Sequence, residues 1–137
     1  PQLDDLKRRV REAGISDRVT FHGWVDHDDL APYYRGADLF VHPGRWPEPF
    51  NRTLLEAIQC DCPLVVSDVG APPWVVGDAG RVFDRGDVAD LSAQLGSLLD
   101  TDGTRKQLQD NCRKRLETFT PERSVSLMEA QYREFVS

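Results

Sequence analysis

The sequence predicts an α/β fold, a parallel sheet with flanking helices, and three observations carry that prediction. Short apolar runs, D-L-F-V-H, P-L-V-V-S and G-R-V-F, alternate with stretches of helical periodicity, the pattern of strands joined by crossover helices. The chain has 137 residues, the size of one folding unit of about 100–150 residues. With 39% hydrophobic and 29% charged residues, it has material for both a core and a hydrated surface.

In chain order, Leu3, Leu6, Val10 and Ala13 recur at steps of three and four, so the sequence opens with an amphipathic helix ending at Gly14. Val19 to His22 reads as a short strand stopped by Gly23. Asp26 or Asp28 is placed to cap a helix containing Leu30, Tyr33 and Tyr34. Asp38 to His42 is the second strand, ended by Pro43 and Gly44, and a loop rich in Pro and Trp follows. N-R-T-L-L-E-A-I-Q-C is a helix, Pro63 to Ser67 the third strand, Val69 to Pro73 a turn, and G-R-V-F a fourth strand. Helices then start after Asp87, with Leu91, Leu95 and Leu98 in phase, and pass through Leu108 and Leu116. The last runs from about Pro121 to Val136, with Val125, Met128, Tyr132 and Phe135 on one face.

Composition narrows the function classes. The net charge is −6, from 23 acidic against 17 basic residues, which argues against a nucleic-acid binder that neutralises phosphates. No stretch approaches the roughly 20 apolar residues of a membrane-spanning helix, and the charged N-terminus has no signal-peptide core. The basic run Lys7 to Arg11 is read as a solvated helix face, its alternative a peripheral contact with an anionic membrane surface. Cys60, Cys62 and Cys112 cannot all pair within the chain. C-x-C is not the spacing of a zinc site, so free thiols in a reducing, cytoplasmic compartment are expected. No His, Asp and Glu cluster has metal-ligand spacing, and no metal or other cofactor is expected.

The stretch W-P-E-P-F-N-R-T-L-L-E, Trp46 to Glu56, carries the chemistry. Glu48 and Glu56 are eight positions apart, one in the loop beyond a strand's C-terminal end and one inside the next helix. Open α/β sheets bind ligands there. The amides of Phe50, Asn51, Arg52 and Thr53 open that helix, and a helix N-terminus with unpaired N–H groups attracts phosphate. Amides for a diphosphate between carboxylates for hydroxyls form the set that holds a nucleoside-diphosphate sugar. On spacing alone, a solvated loop charge and a helix-face charge explain the two glutamates as well.

E-P-F-N-R-T-L-L-E-A-I-Q-C-D-C-P-L-V-V-S-D-V-G resembles the E-x7-E region of the retaining group 1 glycosyltransferases of GT-B fold. R-V-T-F-H-G-W-V, Y-Y-R-G-A-D-L-F-V-H-P, A-G-R-V-F and D-R-G-D agree with it in order and spacing. The resemblance covers essentially the whole chain. It implies the Rossmann-like, C-terminal donor-binding half of a two-domain enzyme, here residues 1–137. It also implies that Glu56 binds ribose hydroxyls and that Glu48, the catalytic residue, sits beside the transferred sugar and contacts its hydroxyls or the reaction centre. Phe50 and Asn51 would present amides to sugar and diphosphate, Gly23, Trp24 and Val25 would lie along the nucleobase, and Gly70 would line the sugar side.

Three positions depart from the family pattern. Asn51 replaces a usual glycine, and Asn tolerates unusual backbone angles. Asp61 replaces a helix-ending glycine, at an expected cost in stability. Trp74 stands where an acid is common, which alters contacts around the sugar. The resemblance implies two earlier strands carrying a basic clamp, and an N-terminal domain that holds a glycan or lipid-linked acceptor. The chain then reads as a fragment lacking its first strands and inactive alone, with sheet edges open to a dimer. Arg45 and Arg52 flank the phosphate position, Trp24 and Trp46 are candidate stacking walls, and His42 ends its strand near the pocket.

The expected function is the donor-binding portion of an enzyme moving a sugar from a nucleotide sugar to an acceptor hydroxyl. The alternative is a non-catalytic nucleotide-binding or assembly module. A receiver-like signalling domain needs an acidic pair at the end of its first strand, and R-V-T-F-H-G has none.

Overall fold

Three of the four apolar runs pair in parallel to build the sheet. In the computed structural model, which describes residues 2–136 apart from the side chains of Asp102, Phe135 and Val136, β1 (Phe40–His42), β2 (Leu64–Ser67) and β3 (Gly80–Phe83) lie in the order β1-β2-β3. Phe40 pairs with Leu64 and His42 with Val66 on one side of β2, Leu64 with Gly80 and Ser67 with Phe83 on the other. Central β2 is buried at every position, as an unbroken apolar run covered on both faces requires.

The helices are α1 (Gln2–Glu12), α2 (Leu30–Gly36), α3 (Arg52–Gln59), α4 (Pro72–Val76), α5 (Val88–Leu99), α6 (Asp102–Leu116) and α7 (Pro121–Val136). Single 3-10 turns occupy His27–Asp29, Gly77–Ala79 and Glu117–Phe119. The chain forms two compact units, Pro1–Leu30 and Ala31–Ser137.

The second unit holds the core. Side chains alternate across a strand, so Val65 and Phe83 share a face and pack with Leu98 of α5 and Leu108 of α6, ringed by Leu39, Val41, Leu91 and Leu95. Leu64 and Val66, on the opposite face, are fully buried, as are Leu54 and Ile58 of α3 and Val75 and Val76 of α4. α5 begins where expected, because the Asp87 carboxylate accepts from the N–H groups of Ala89 (2.8 Å) and Asp90 (3.0 Å).

The segment expected to be a turn over Val69 to Pro73 instead runs into α4, since Pro72 and Pro73 supply the preset φ of a first helical turn. The face of α7 expected to pack is open: Val125 is 54% exposed and Tyr132 68%, while the Phe135 side chain lies outside the described residues. Periodicity fixes which residues share a face but supplies no partner for it.

In the first unit, α1 buries no residue. Its surface is laced by Arg8 with Asp5 and Glu12, and by Arg9 with Asp5 at 2.9 Å. Acids of the same helix therefore match Arg8 and Arg9 of the basic run. Val19 to His22 is not a strand, contrary to its apolar pattern; it joins no sheet among the described residues, and a strand exists only through its ladder. Nor does Asp26 or Asp28 cap α2 with a side chain. Asp26 instead accepts the Asp29 N–H at its carbonyl (3.0 Å) and the Trp24 indole N–H at its carboxylate (3.2 Å).

Helix α3 closes through a left-handed residue that is not glycine. Asp61 has φ +54°, the Cys62 N–H returns to Ala57 C=O (3.0 Å), and the Asp61 N–H to Ile58 C=O (3.0 Å), a Schellman closure. The Asp61 carboxylate accepts from Arg113 at 3.0 Å. Left-handed backbone costs a Cβ-bearing residue about 1–2 kcal/mol, more than an exposed ion pair returns, about 0–1 kcal/mol. Asp61→Gly is therefore expected to raise stability in urea unfolding by about 0.5–1 kcal/mol. Asp61→Ala, keeping the strain and losing the pair, should lower it by a similar amount.

Burial pushes the Cys62 thiol up to about 11 and the Cys112 thiol up to about 12. A raised thiol pKa withholds the thiolate, the reactive form, so below about pH 9 these two should resist alkylation until the chain unfolds. Mass spectrometry after iodoacetamide at pH 8 should show the native chain modified at Cys60 alone.

Candidate functional site

The C-terminal end of the sheet is where the two strand-to-helix loops meet, and the contact is between backbones. The Ala71 N–H donates to the Glu48 C=O at 3.0 Å. Gly70 has φ +67°, and a Cβ there would stand 2.6 Å from Glu48 N and 2.8 Å from Glu48 O. The buried Ser67 hydroxyl at the end of β2 donates to Gly44 C=O at 2.6 Å. These three ties fix the loop after β1 against the loop after β2, with Glu48 in between.

Helix α3 opens from that junction. Leu54, Ala57 and Ile58 face inward and are fully buried, which turns Arg52 and Glu56, one turn apart, along another side. Asn51 precedes the helix at φ +58° and does not cap it with its side chain. Its amide NH2 instead donates to His42 Nε2 at 3.1 Å, and its carbonyl oxygen accepts from the Thr53 hydroxyl. Among the described residues no protein acceptor takes the N–H groups of Asn51, Arg52 or Thr53. The helix thus presents unpaired donors at its positive end.

One face of β1 carries both ends of the arrangement. Phe40 and His42 are two residues apart, so their side chains leave the strand on the same side. His42 Nε2 lies 3.6 Å from Glu48 Oε1. The Tyr34 ring meets Phe40 edge-on, centroids 5.4 Å apart, and its hydroxyl donates to Glu56 Oε2 at 3.3 Å. Glu48 thus lies at the His42 end of this face and Glu56 at the Phe40 end.

An aromatic cluster flanks the helix opening. Phe50 and Trp74 both meet Phe119 edge-on, at 5.9 and 5.5 Å. The Arg115 guanidinium lies 5.5 Å from the Trp74 ring centre and 5.1 Å from that of Phe119. Arg115 also donates to the carbonyls of Val75 (2.9 Å) and Trp74, so Trp74 is anchored though 59% exposed.

Of the residues expected at the site, Glu48, Phe50, Asn51, Arg52, Thr53, Glu56 and Gly70 belong to this junction and its helix. Trp24 and Val25 belong to the first unit, where Trp24 is 90% exposed. Arg45 does not turn to the helix opening; with Pro43, Phe83, Gly86, Asp87, Val88 and Leu91 it lines a hollow of about 170 Å³ beside the start of α5. Among the described residues no group of three or more His, Cys, Asp or Glu is arranged to hold a metal ion, and no helix is long and apolar enough to cross a membrane. Tyr34, Arg115 and Phe119 were not singled out from the sequence. The signal for Tyr34 was its hydroxyl, which a packed position does not need; Arg115 and Phe119 reach Trp74 over some 40 residues and leave no local signature.

Gly70→Ala tests the junction. The added methyl meets backbone, which cannot swing aside, at a left-handed φ, so stability should fall by about 2–3 kcal/mol in urea unfolding.

The group 1 glycosyl transferase family profile matches residues 1–115. The O-antigen chain mannosyltransferase B of Escherichia coli is 38% identical over 104 residues, 75% of this chain and 27% of that protein. Sucrose-phosphate synthase from Thermosynechococcus elongatus superposes with a TM-score of 0.78 at 30% identity, over 96% of this chain and 33% of its own. Anabaena HepE, solved in complex with UDP, gives a TM-score of 0.76 at 24% identity, over 98% and 36%. The chain spans about a quarter of the length of the E. coli protein, and it belongs to the group 1 glycosyl transferases.

Proposed function

We propose that this member of the group 1 glycosyl transferases is the C-terminal, donor-binding part of a retaining enzyme, holding a nucleoside-diphosphate sugar at the opening of α3. The observation that carries the reading is the placement of Glu48 and Glu56 along one face of β1, with the unpaired N–H groups of Asn51, Arg52 and Thr53 at the helix start. In this reading those donors and the exposed Arg52 take the diphosphate and stabilise its charge as it departs. Glu56 accepts hydrogen bonds from the ribose hydroxyls. Glu48 stands at the transferred sugar, where a carboxylate favours the positive charge that develops as the glycosidic bond breaks.

Phe50 presents its amide to the sugar, and Gly70 lines the sugar side. The acceptor hydroxyl is brought by a further domain. HepE was solved with UDP, and the E. coli relative is named a mannosyltransferase, which supports a nucleotide-linked hexose as the donor class.

Calorimetry on the full chain with UDP, GDP and their hexose derivatives tests the reading. At least one pair should bind. Glu56→Gln should weaken the free diphosphate and the sugar-bearing donor alike by about 10- to 100-fold, the worth of a hydrogen bond to a charged group. Glu48→Gln should weaken the sugar-bearing donor while leaving the diphosphate within about threefold. The chain alone should transfer no sugar. No heat with any nucleotide would overturn the reading in favour of an assembly module.

A further inference from the structure

We infer that Trp46 and Trp74 form an aromatic platform beside Glu48 that receives the pyranose ring carrying the acceptor hydroxyl, so that the acceptor is a saccharide. The inference rests on the donor reading above, which puts the transferred sugar at Glu48. It gives this chain a share in holding the acceptor that the further domain brings.

The loop junction gathers the two indoles. Trp46 precedes Glu48 by two residues. Trp74 sits in the first turn of α4, three residues past Ala71, whose N–H is bonded to the Glu48 carbonyl. Residues far apart in sequence thus meet around one main-chain hydrogen bond. Trp46 is 81% exposed and Trp74 59%, although a packed indole buries about 150–250 Å². The core makes little use of either ring, and both stand at the sheet end where open α/β folds bind ligands.

The chemistry of the surface fits a sugar. Arg45 and Glu48 bracket Trp46 in sequence, and the Arg115 guanidinium lies over the Trp74 ring. Charge therefore breaks up the aromatic surface, whereas an alkyl chain or an apolar protein face calls for a continuous patch. A pyranose has an apolar C–H face and a rim of hydroxyls. Indole matches it with an apolar ring and one N–H donor. The Trp24 N–H goes to Asp26, while among the described residues those of Trp46 and Trp74 have no protein acceptor.

Both rings stand on fixed backbone. The loop of Trp46 is tied on one side through Ser67 to Gly44 C=O (2.6 Å) and on the other through Ala71 to Glu48 C=O (3.0 Å). Pro47 restricts the Trp46 backbone to extended angles. Arg115 donates to the Trp74 carbonyl as well as covering the ring. A tryptophan with two side-chain torsions on such a base is ordered at low cost.

The indole 1H–15N signals of the full chain, which has three tryptophans, provide the test. At least one of methyl α-D-mannopyranoside and methyl α-D-glucopyranoside, at millimolar concentrations, should move the Trp46 and Trp74 signals together. The signal of Trp24, the most exposed of the three, should stay in place. Sorbitol, with hydroxyls but no ring face, should move none. The shifts should persist with UDP- or GDP-hexose bound. Trp46→Ala should weaken the pyranoside by about two- to tenfold, the worth of one aromatic contact, and leave nucleotide binding unchanged. Trp46 packs little, so this variant should unfold within a few degrees of the parent; should it not fold, the parent's signals decide.

A stationary Trp46 or Trp74 signal, or a Trp24 signal that moves equally, would overturn the platform and leave the donor reading standing. Shifts abolished by the bound donor would assign the indoles to the transferred sugar and end the acceptor role. If no nucleotide binds at all, the donor reading fails and the acceptor role goes with it.

Discussion

The site depends on two loops that can approach only because one residue has no side chain. Gly70 stands with its Cα against the backbone of Pro47 and Glu48, at a left-handed φ that a Cβ would both strain and block. The Ala71 N–H closes the contact on the Glu48 carbonyl. Because the tie is between main chains, it sets where the Glu48 backbone lies whatever rotamer its side chain takes. α4 begins immediately after it, so Trp74 and the Arg115 anchor inherit the same placement.

The second constraint is alternation along a strand of three residues. Phe40 and His42 face the same way while Val41 points into the packed cluster with Val65 and Phe83. Shifting β1 by one residue would bury His42 and turn Val41 toward the site. Parallel pairing with fully buried β2 prevents that shift, so a stability requirement in the core also orders the polar face. At that end of the face the Asn51 amide nitrogen lies 3.1 Å from His42 Nε2 and 3.4 Å from Nδ1, and Glu48 Oε1 lies 3.6 Å from Nε2.

What was legible in the sequence was local. The helix from Arg52 to Gln59, the buried β2 run and the Asp87 cap each depend on residues within a few positions, and each formed as its pattern implied. The E-x7-E spacing likewise located the loop and helix that meet at the sheet end. Val19 to His22 failed because alternation and β-branching describe readiness to pair, and pairing needs a second segment. α7 carries an apolar stripe that stays open for the same reason. Arg45 was expected at the helix opening from proximity in sequence, yet its side chain lies beside Gly86 and Asp87, across the sheet end. Tyr34 and Arg115 act over 22 and some 40 residues, distances at which one sequence shows no covariation to follow.

Helix α3 is bounded by left-handed residues that are not glycine, Asn51 before it and Asp61 after it. The same departure has a different meaning at each end. At Asp61 the side chain only meets Arg113 on the surface, an interaction too weak to offset the strain, so the residue is a local cost at a place remote from the helix opening. At Asn51 the side chain joins His42 and Thr53 and leaves the first N–H groups of the helix unoccupied. A capping serine or aspartate would satisfy one of those donors itself. The strained, non-capping asparagine keeps the positive end of the helix open, and that is the physical condition under which it can take a phosphate.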